Sequence, residues 1–181
     1  MTVPPITAPY LAAVVLLGLA GVSKIARPGD TARALRLAGI PASRAWVRAG
    51  ALCELAVAVA ALMAPCAATG ALVAGFYAVF TVFVMLALRR RWPLSSCGCF
   101  GKPDTPPTGS HAALNAGATF CAVWWSVSAP ANLPHALAHQ NWHGWALTLE
   151  AAAIAVVAFV VWTNPLPAIS TRPPVPRGAE R

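Results

Sequence analysis

Cys97 and Cys99, separated by a single glycine, are the residues of this chain best suited to chemistry. They sit in the run SSCGCFGKPDTPPTG, residues 95–109. A disulfide between residues two apart closes a small ring away from relaxed geometry. Strained, exposed disulfides are the oxidising and labile ones. Gly98 and Gly101 allow backbone angles that other residues resist. Cysteine is usually buried, so a pair in a Gly/Pro-rich loop points first to thiol–disulfide exchange. A metal pair, with a soft ion such as Cu(I) on the thiolates, and two inert thiols are the alternatives. Arg89, Arg90, Arg91 and Lys102 flank the pair, and neighbouring cations lower a thiol pKa and favour the nucleophilic thiolate.

Four further polar residues belong at the same level of the molecule. Lys24 ends the first apolar stretch. Glu54 lies inside the second, roughly 9 Å deeper than Arg48 along a helix. An acid in a spanning helix is costly and faces the bundle interior or a partner, so Glu54 is expected to pair with Lys24, Arg48 or a polar group of the cysteine loop. His111 opens the fourth apolar stretch, and Asn115 follows one turn later on the same face. The expected catalytic residues are Cys97, Cys99, His111 and Glu54. Lys24, Gly98, Gly101 and Asn115 support them, and no resident metal is expected.

The elements that must position these residues are membrane helices. Of 181 residues, 58% are hydrophobic and only 10% charged, and the mean hydropathy is +0.65. A soluble domain is about 25% charged, and a soluble fold of this size could not cover itself with so few charges. Disordered chains are polar and charge-rich, which excludes that class too. Five stretches match the roughly 20 apolar residues a span requires: about 9–26, 46–64, 67–88, 111–129 and 142–162. The first lacks the basic start of a signal peptide and reads as a span.

The net charge is +8, from thirteen Lys/Arg against five Asp/Glu. With five spans, all thirteen cations fall on one side, in the first loop, the third loop and the tail. Cytoplasmic loops carry the Lys/Arg excess. The expectation is therefore a multi-pass protein of the cell (inner/plasma) membrane, with the N-terminus outside and the C-terminus in the cytoplasm. This patterning, rather than nucleic-acid binding, accounts for the basic balance, so the expected partner is the lipid bilayer and not nucleic acid. Trp46, Trp92, Trp142, Trp145 and Trp162 sit at expected helix ends, as an interfacial aromatic belt does. Disulfides form outside the cytoplasm. An inside pair at Cys97/Cys99 would move reducing equivalents from cytoplasmic thiols, or sense them.

In the first loop, Asp30-Thr31 offers an N-cap, residues 32–38 read as a short helix on the membrane surface, and Gly39 with Pro41 stops it. Cys53, Cys66 and Cys121 read as small hydrophobes without a role. Glu150, in the last stretch, is an acid that can turn to a polar interior. His135, His139 and His143 recur every four residues, a spacing that suits an interfacial polar stripe better than a metal site. The proline-rich end, 165–181, reads as a disordered cytoplasmic tail behind a transmembrane domain of 1–164.

Several runs together resemble the methylamine-utilisation protein MauE family, a branch of the DoxX-like membrane proteins. They are GVSKIARP (21–28), the Leu35–Pro41 segment ending in AGIP, GALCEL (50–55), and SCGCFG (96–101) followed by His111 and Asn115. The resemblance implies an all-α polytopic bundle: a four-helix DoxX/MauE-like core with a fifth transmembrane helix. It also implies a role in maturation or redox upkeep of a partner, either amine dehydrogenase-like or thioredoxin-like. The electron acceptor is open between a quinone and no cofactor at all. A competing reading is a non-enzymatic membrane scaffold or transporter-like protein whose Cys pair holds a metal.

Overall fold

A computed structural model of the chain describes residues 5–92, 107–128 and 141–163. Six helices follow one another: α1 (Thr7–Ala26), α2 (Pro28–Leu37), α3 (Arg44–Met63), α4 (Ala67–Arg89), α5 (Gly109–Ser128) and α6 (Asn141–Thr163). No strand occurs among the described residues, and the fold is an all-helical bundle. Cys97, Gly98, Cys99, Gly101, Lys102, His135, His139 and the tail 165–181 lie outside the described residues. His143 falls in the first turn of α6.

Among the described residues, α1, α3 and α4 are long and apolar enough to cross a membrane. At 1.5 Å per residue, helices of 20 and 23 residues reach about 30–35 Å, the thickness of the hydrocarbon layer. Helices α5 and α6 occupy the fourth and fifth expected stretches with 20 and 23 residues. The distribution of side-chain size is that of a membrane bundle. Alanines such as Ala8, Ala12, Ala13, Ala58, Ala61 and Ala122 fill the interior, while Leu19, Val22, Leu62, Val79 and Val82 stand exposed. Small residues let helix backbones approach closely where lipid gives no hydrophobic drive to associate. In water so much exposed apolar surface would be a liability. The chain is thus compatible with a multi-pass membrane protein in contact with the bilayer.

Two glycines set the tightest packing. At Gly21 on α1, an added Cβ would lie 2.9 Å from the Ala51 carbonyl oxygen of α3. At Gly70 on α4 it would lie 2.8 Å from Cδ1 of Trp125 on α5. The pairs α1–α3 and α4–α5 accordingly make the most extensive helix contacts, and α3 meets α4 far less. Trp125, fully buried, stacks on Tyr10 with ring centroids 4.6 Å apart and planes within 6°. The Tyr77 hydroxyl donates to the Ala13 carbonyl at 2.7 Å, tying α4 to α1. Helix α6 lays Ala151, Ile154, Ala155 and Ala158 as an i, i+3, i+4, i+7 stripe whose principal neighbour is α1. Glu150 lies off that stripe and is exposed rather than turned to a polar interior.

Helix α2 begins earlier than its Asp30-Thr31 cap signal suggests. Pro28 occupies its first position and Arg27 is the N-cap, with no side-chain cap bond. Proline's fixed φ is already helical, and the N–H it lacks would be unpaired there anyway. Asp30 instead complements the dipole within the first turn. The stop is as expected. Gly39 has φ +81°, its N–H donates to Arg36 O, and the Ile40 N–H donates to Leu35 O, the double closure of a Schellman motif. Ala32 packs with Ala42 and Val47, and Ala34 with Ala87. Helix α2 therefore folds back onto α3 and the end of α4, with Leu37 left exposed.

Candidate functional site

Helices α1 and α3 run antiparallel, with Gly18 facing Ala58 and Gly21 facing Ala51 and Leu55. Lys24 lies one turn beyond Gly21 on α1, and its long side chain reaches Glu54, the residue before Leu55. Lys24 Nζ donates to both Glu54 carboxylate oxygens at 2.7 Å, with each side chain 7% exposed. Glu54's partner is thus Lys24; Arg48 is exposed. The Lys24 ammonium also stands 4.3 Å from the centroid of the Phe80 ring of α4, within cation–π range. A buried charge is tolerable only when paired and hydrogen-bonded, and this one has a bidentate carboxylate and a ring face.

Beside the pair, a cavity of ≈ 440 Å³ opens between α1, α2, α3 and α4. Lys24 and Glu54 supply its polar wall, Phe80, Phe83 and Val84 one apolar side, and Val47, Ala51 and Gly50 the other. Leu35 and Ile40, the apolar residues beside the Schellman closure of α2, roof it. The end of α4 leads from this region toward the cysteine run. Arg91 takes φ +50°. Its N–H donates to Leu88 O and that of Trp92 to Ala87 O, again a Schellman closure but with arginine where glycine is usual. Trp92 then packs on Phe83.

On the far side of the run, Thr108 is the residue before α5, and His111 occupies the third helical position. The Thr108 N–H donates to His111 Nδ1 at 3.2 Å. This is the half of a capping box that Glu or Gln usually supplies. An Nδ1 that accepts this bond leaves the proton of a neutral ring on Nε2. Thr108 Oγ1 lies 2.6 Å from the same nitrogen and 2.7 Å from Ser110 Oγ. His111 and Asn115 are each 1% exposed, on one face as their spacing predicts. The Asn115 amide nitrogen has no hydrogen-bond partner among the described residues. Antiparallel packing that sets Gly70 against Trp125 and Ser126 brings His111 to about the level of Val84 and Asn115 to about that of Phe80. The four polar residues singled out in the bundle, Lys24, Glu54, His111 and Asn115, are all buried. They lie toward the end of the bundle from which the 93–106 segment departs.

Residue types alone did not point to Phe80 or Thr108. The T-x-x-H spacing from Thr108 to His111 carries the latter, because it is capping-box spacing; Phe80 has no such signal. At the opposite end of α4, Cys66 is the exposed N-cap. Its N–H donates to Thr69 Oγ1 at 3.0 Å. Hydrogen bonds from the Thr69 backbone N–H and then the Thr69 hydroxyl hold its thiol pKa below the ordinary value. Cys53 and Cys121 are free. No cluster of three or more His, Cys, Asp or Glu suited to a metal occurs among the described residues.

Searches against curated proteins and against solved structures returned no match. The family described as methylamine utilisation protein MauE matches residues 1–128, a span that runs from the start of the chain through α5. With more than two thirds of its length covered by that match, the chain belongs to the MauE family.

Proposed function

We propose that this protein is a five-span membrane thiol–disulfide exchange protein that supports the maturation or redox upkeep of a partner of thioredoxin-like or amine dehydrogenase-like type. The observation that carries the reading is the sequence Cys97-Gly98-Cys99-Phe100-Gly101, in a MauE-family chain, ahead of a helix whose first turns bury His111 and Asn115. One cysteine thiolate attacks a partner disulfide, forming a mixed disulfide and expelling one partner thiolate. The second cysteine then attacks the mixed disulfide, releases the partner as a dithiol and leaves Cys97–Cys99 oxidised. A cytoplasmic dithiol returns the pair to its reduced form.

The arginines at the end of α4 favour the thiolate, because nearby cations lower a thiol pKa, and His111 is the imidazole that opens the following helix. Glu54, held by Lys24, is the bundle carboxylate that takes up the proton. Gly98 and Gly101 allow the tight ring, and Asn115 orients the histidine face. The one-sided distribution of thirteen Lys/Arg supports a cytoplasmic position for the pair, an outside N-terminus and an inside C-terminus.

The test is trapping. With the resolving cysteine replaced by serine, a mixed disulfide with the partner accumulates on a non-reducing gel. With both replaced, adduct and activity disappear together. If Cys97→Ser, Cys99→Ser and the double variant all sustain normal partner maturation, the thiol mechanism is wrong.

A further inference from the structure

The cavity between α1, α2, α3 and α4 has a composition that selects its occupant. At ≈ 440 Å³ it falls within the range of small-molecule sites, about 300–1,000 Å³. Its walls are apolar and aromatic except for one buried ion pair and, on the α2 side, Thr31. A carboxylate has about four lone-pair sites and an ammonium three N–H groups. The two bonds between Lys24 and Glu54 use two of each. Glu54 therefore retains acceptor capacity, and among the described residues the third Lys24 N–H is left with the Phe80 ring face.

The pair is neutral as a unit, so an anionic headgroup gains no net attraction, and a saturated acyl chain offers the pair nothing to bond. A ring oxygen answers both halves: as a carbonyl it accepts from Lys24, and as a hydroxyl it donates to Glu54. Phe80, Phe83 and Trp46 supply flat apolar surface for the ring. The exposed residues Gly50 and Val79, which border the cavity where α3 and α4 stand apart, give a tail a way into the lipid.

We infer that this cavity binds a lipophilic quinone or its hydroquinone, with a ring oxygen on the Lys24–Glu54 pair and the tail directed between α3 and α4 into the bilayer. The inference concerns binding and stands apart from the thiol reading.

Gly50 provides the test, because an added Cβ there meets nothing within 4 Å and Gly50 borders the cavity. Gly50→Leu fills the space with a better helix former. The full-length protein in detergent is titrated with a decyl-substituted benzoquinone, with decylbenzene and with a phosphatidylcholine, and binding is followed by equilibrium dialysis. Saturable quinone binding is expected, at least about tenfold tighter than decylbenzene. Gly50→Leu should weaken it about tenfold or more without lowering the unfolding temperature.

The Lys24→Met/Glu54→Met double variant should bind quinone and decylbenzene alike. Equal binding of quinone and decylbenzene by the unmodified protein makes the cavity a slot for lipid chains and overturns the inference. So does quinone affinity unchanged in Gly50→Leu. The Cys97→Ser/Cys99→Ser chain should keep full quinone affinity while losing exchange. Loss of binding there would overturn the separation of the two sites, and exchange without quinone binding in the unmodified chain would sink the cavity inference alone.

Discussion

Lys24→Met is the most informative single change, because the structure predicts that it harms the fold unless Glu54 is changed with it. Both side chains are 7% exposed, so neither charge is hydrated once its partner is gone. Removing one member of a buried pair costs about 3–5 kcal/mol, whereas replacing both with apolar residues of similar volume is often neutral or stabilising. For a chain of this length 1 kcal/mol shifts the midpoint by about 2–4 °C. Lys24→Met and Glu54→Met should therefore each lower the unfolding midpoint by about 6–20 °C. The double variant should unfold within about 4 °C of the parent, the shift of roughly 1 kcal/mol. The assay is thermal unfolding in detergent, followed by helix circular dichroism and by loss of the monodisperse peak. The coupling energy from the cycle should be about 3 kcal/mol or more. If the single changes add in the double variant, or if either single change is silent, the pair is not the closed, dehydrated contact described above.

Gly70→Ala should destabilise by about 1–3 kcal/mol through overpacking, since the new methyl meets Trp125 Cδ1 at 2.8 Å and the Ser126 Cβ at 3.2 Å. Gly75→Ala, with nothing within 4 Å, should be tolerated in the same thermal assay. Arg91→Gly should stabilise by about 1 kcal/mol, because φ +50° strains any residue with a Cβ; a lower midpoint would show that the arginine side chain holds that turn. The Cys66 thiol, with its pKa lowered by Thr69, is more fully thiolate at neutral pH than the same thiol in the unfolded chain. Its alkylation by iodoacetamide should therefore be faster folded than unfolded and should fall off at lower pH. Thr69→Val should move that fall-off upward. In intact cells an impermeant thiol reagent should label Cys66 and miss reduced Cys97 and Cys99 until the membrane is opened.

What the sequence shows plainly is what period and hydropathy control. The helices lie within a few residues of the five apolar stretches, because helix length and burial in lipid both follow from apolar content. Asn115 shares a buried face with His111, because helical spacing alone decides it. The sequence limits Glu54 to a few partners without choosing among them. Lys24 over Arg48 depends on how closely α1 and α3 approach at Gly21 and Ala51, a fact of tertiary packing that no local pattern carries. The start of α2 departs from the Asp30-Thr31 signal because Pro28 at the first position outweighs that pair as a cap. The Tyr10–Trp125 stack and the cavity under α2 were not legible at all, since each joins residues from distant parts of the chain.

The buried ion pair joins the first two long helices of the chain, and this bears on how the protein is made. A ribosome delivers α1 with its lysine first and α3 with its glutamate some thirty residues later. Each charge alone resists entry into hydrocarbon by about 2.5–3.5 kcal/mol, but the two can neutralise each other as soon as both helices have emerged. Nothing downstream is needed, so the α1–α3 hairpin is a unit the insertion machinery can release laterally before α4 is translated. Phe80 arrives later to a charge already matched. A chain stopped after α3 should integrate as efficiently as the whole, while one carrying Lys24 without Glu54 should stall at the translocon.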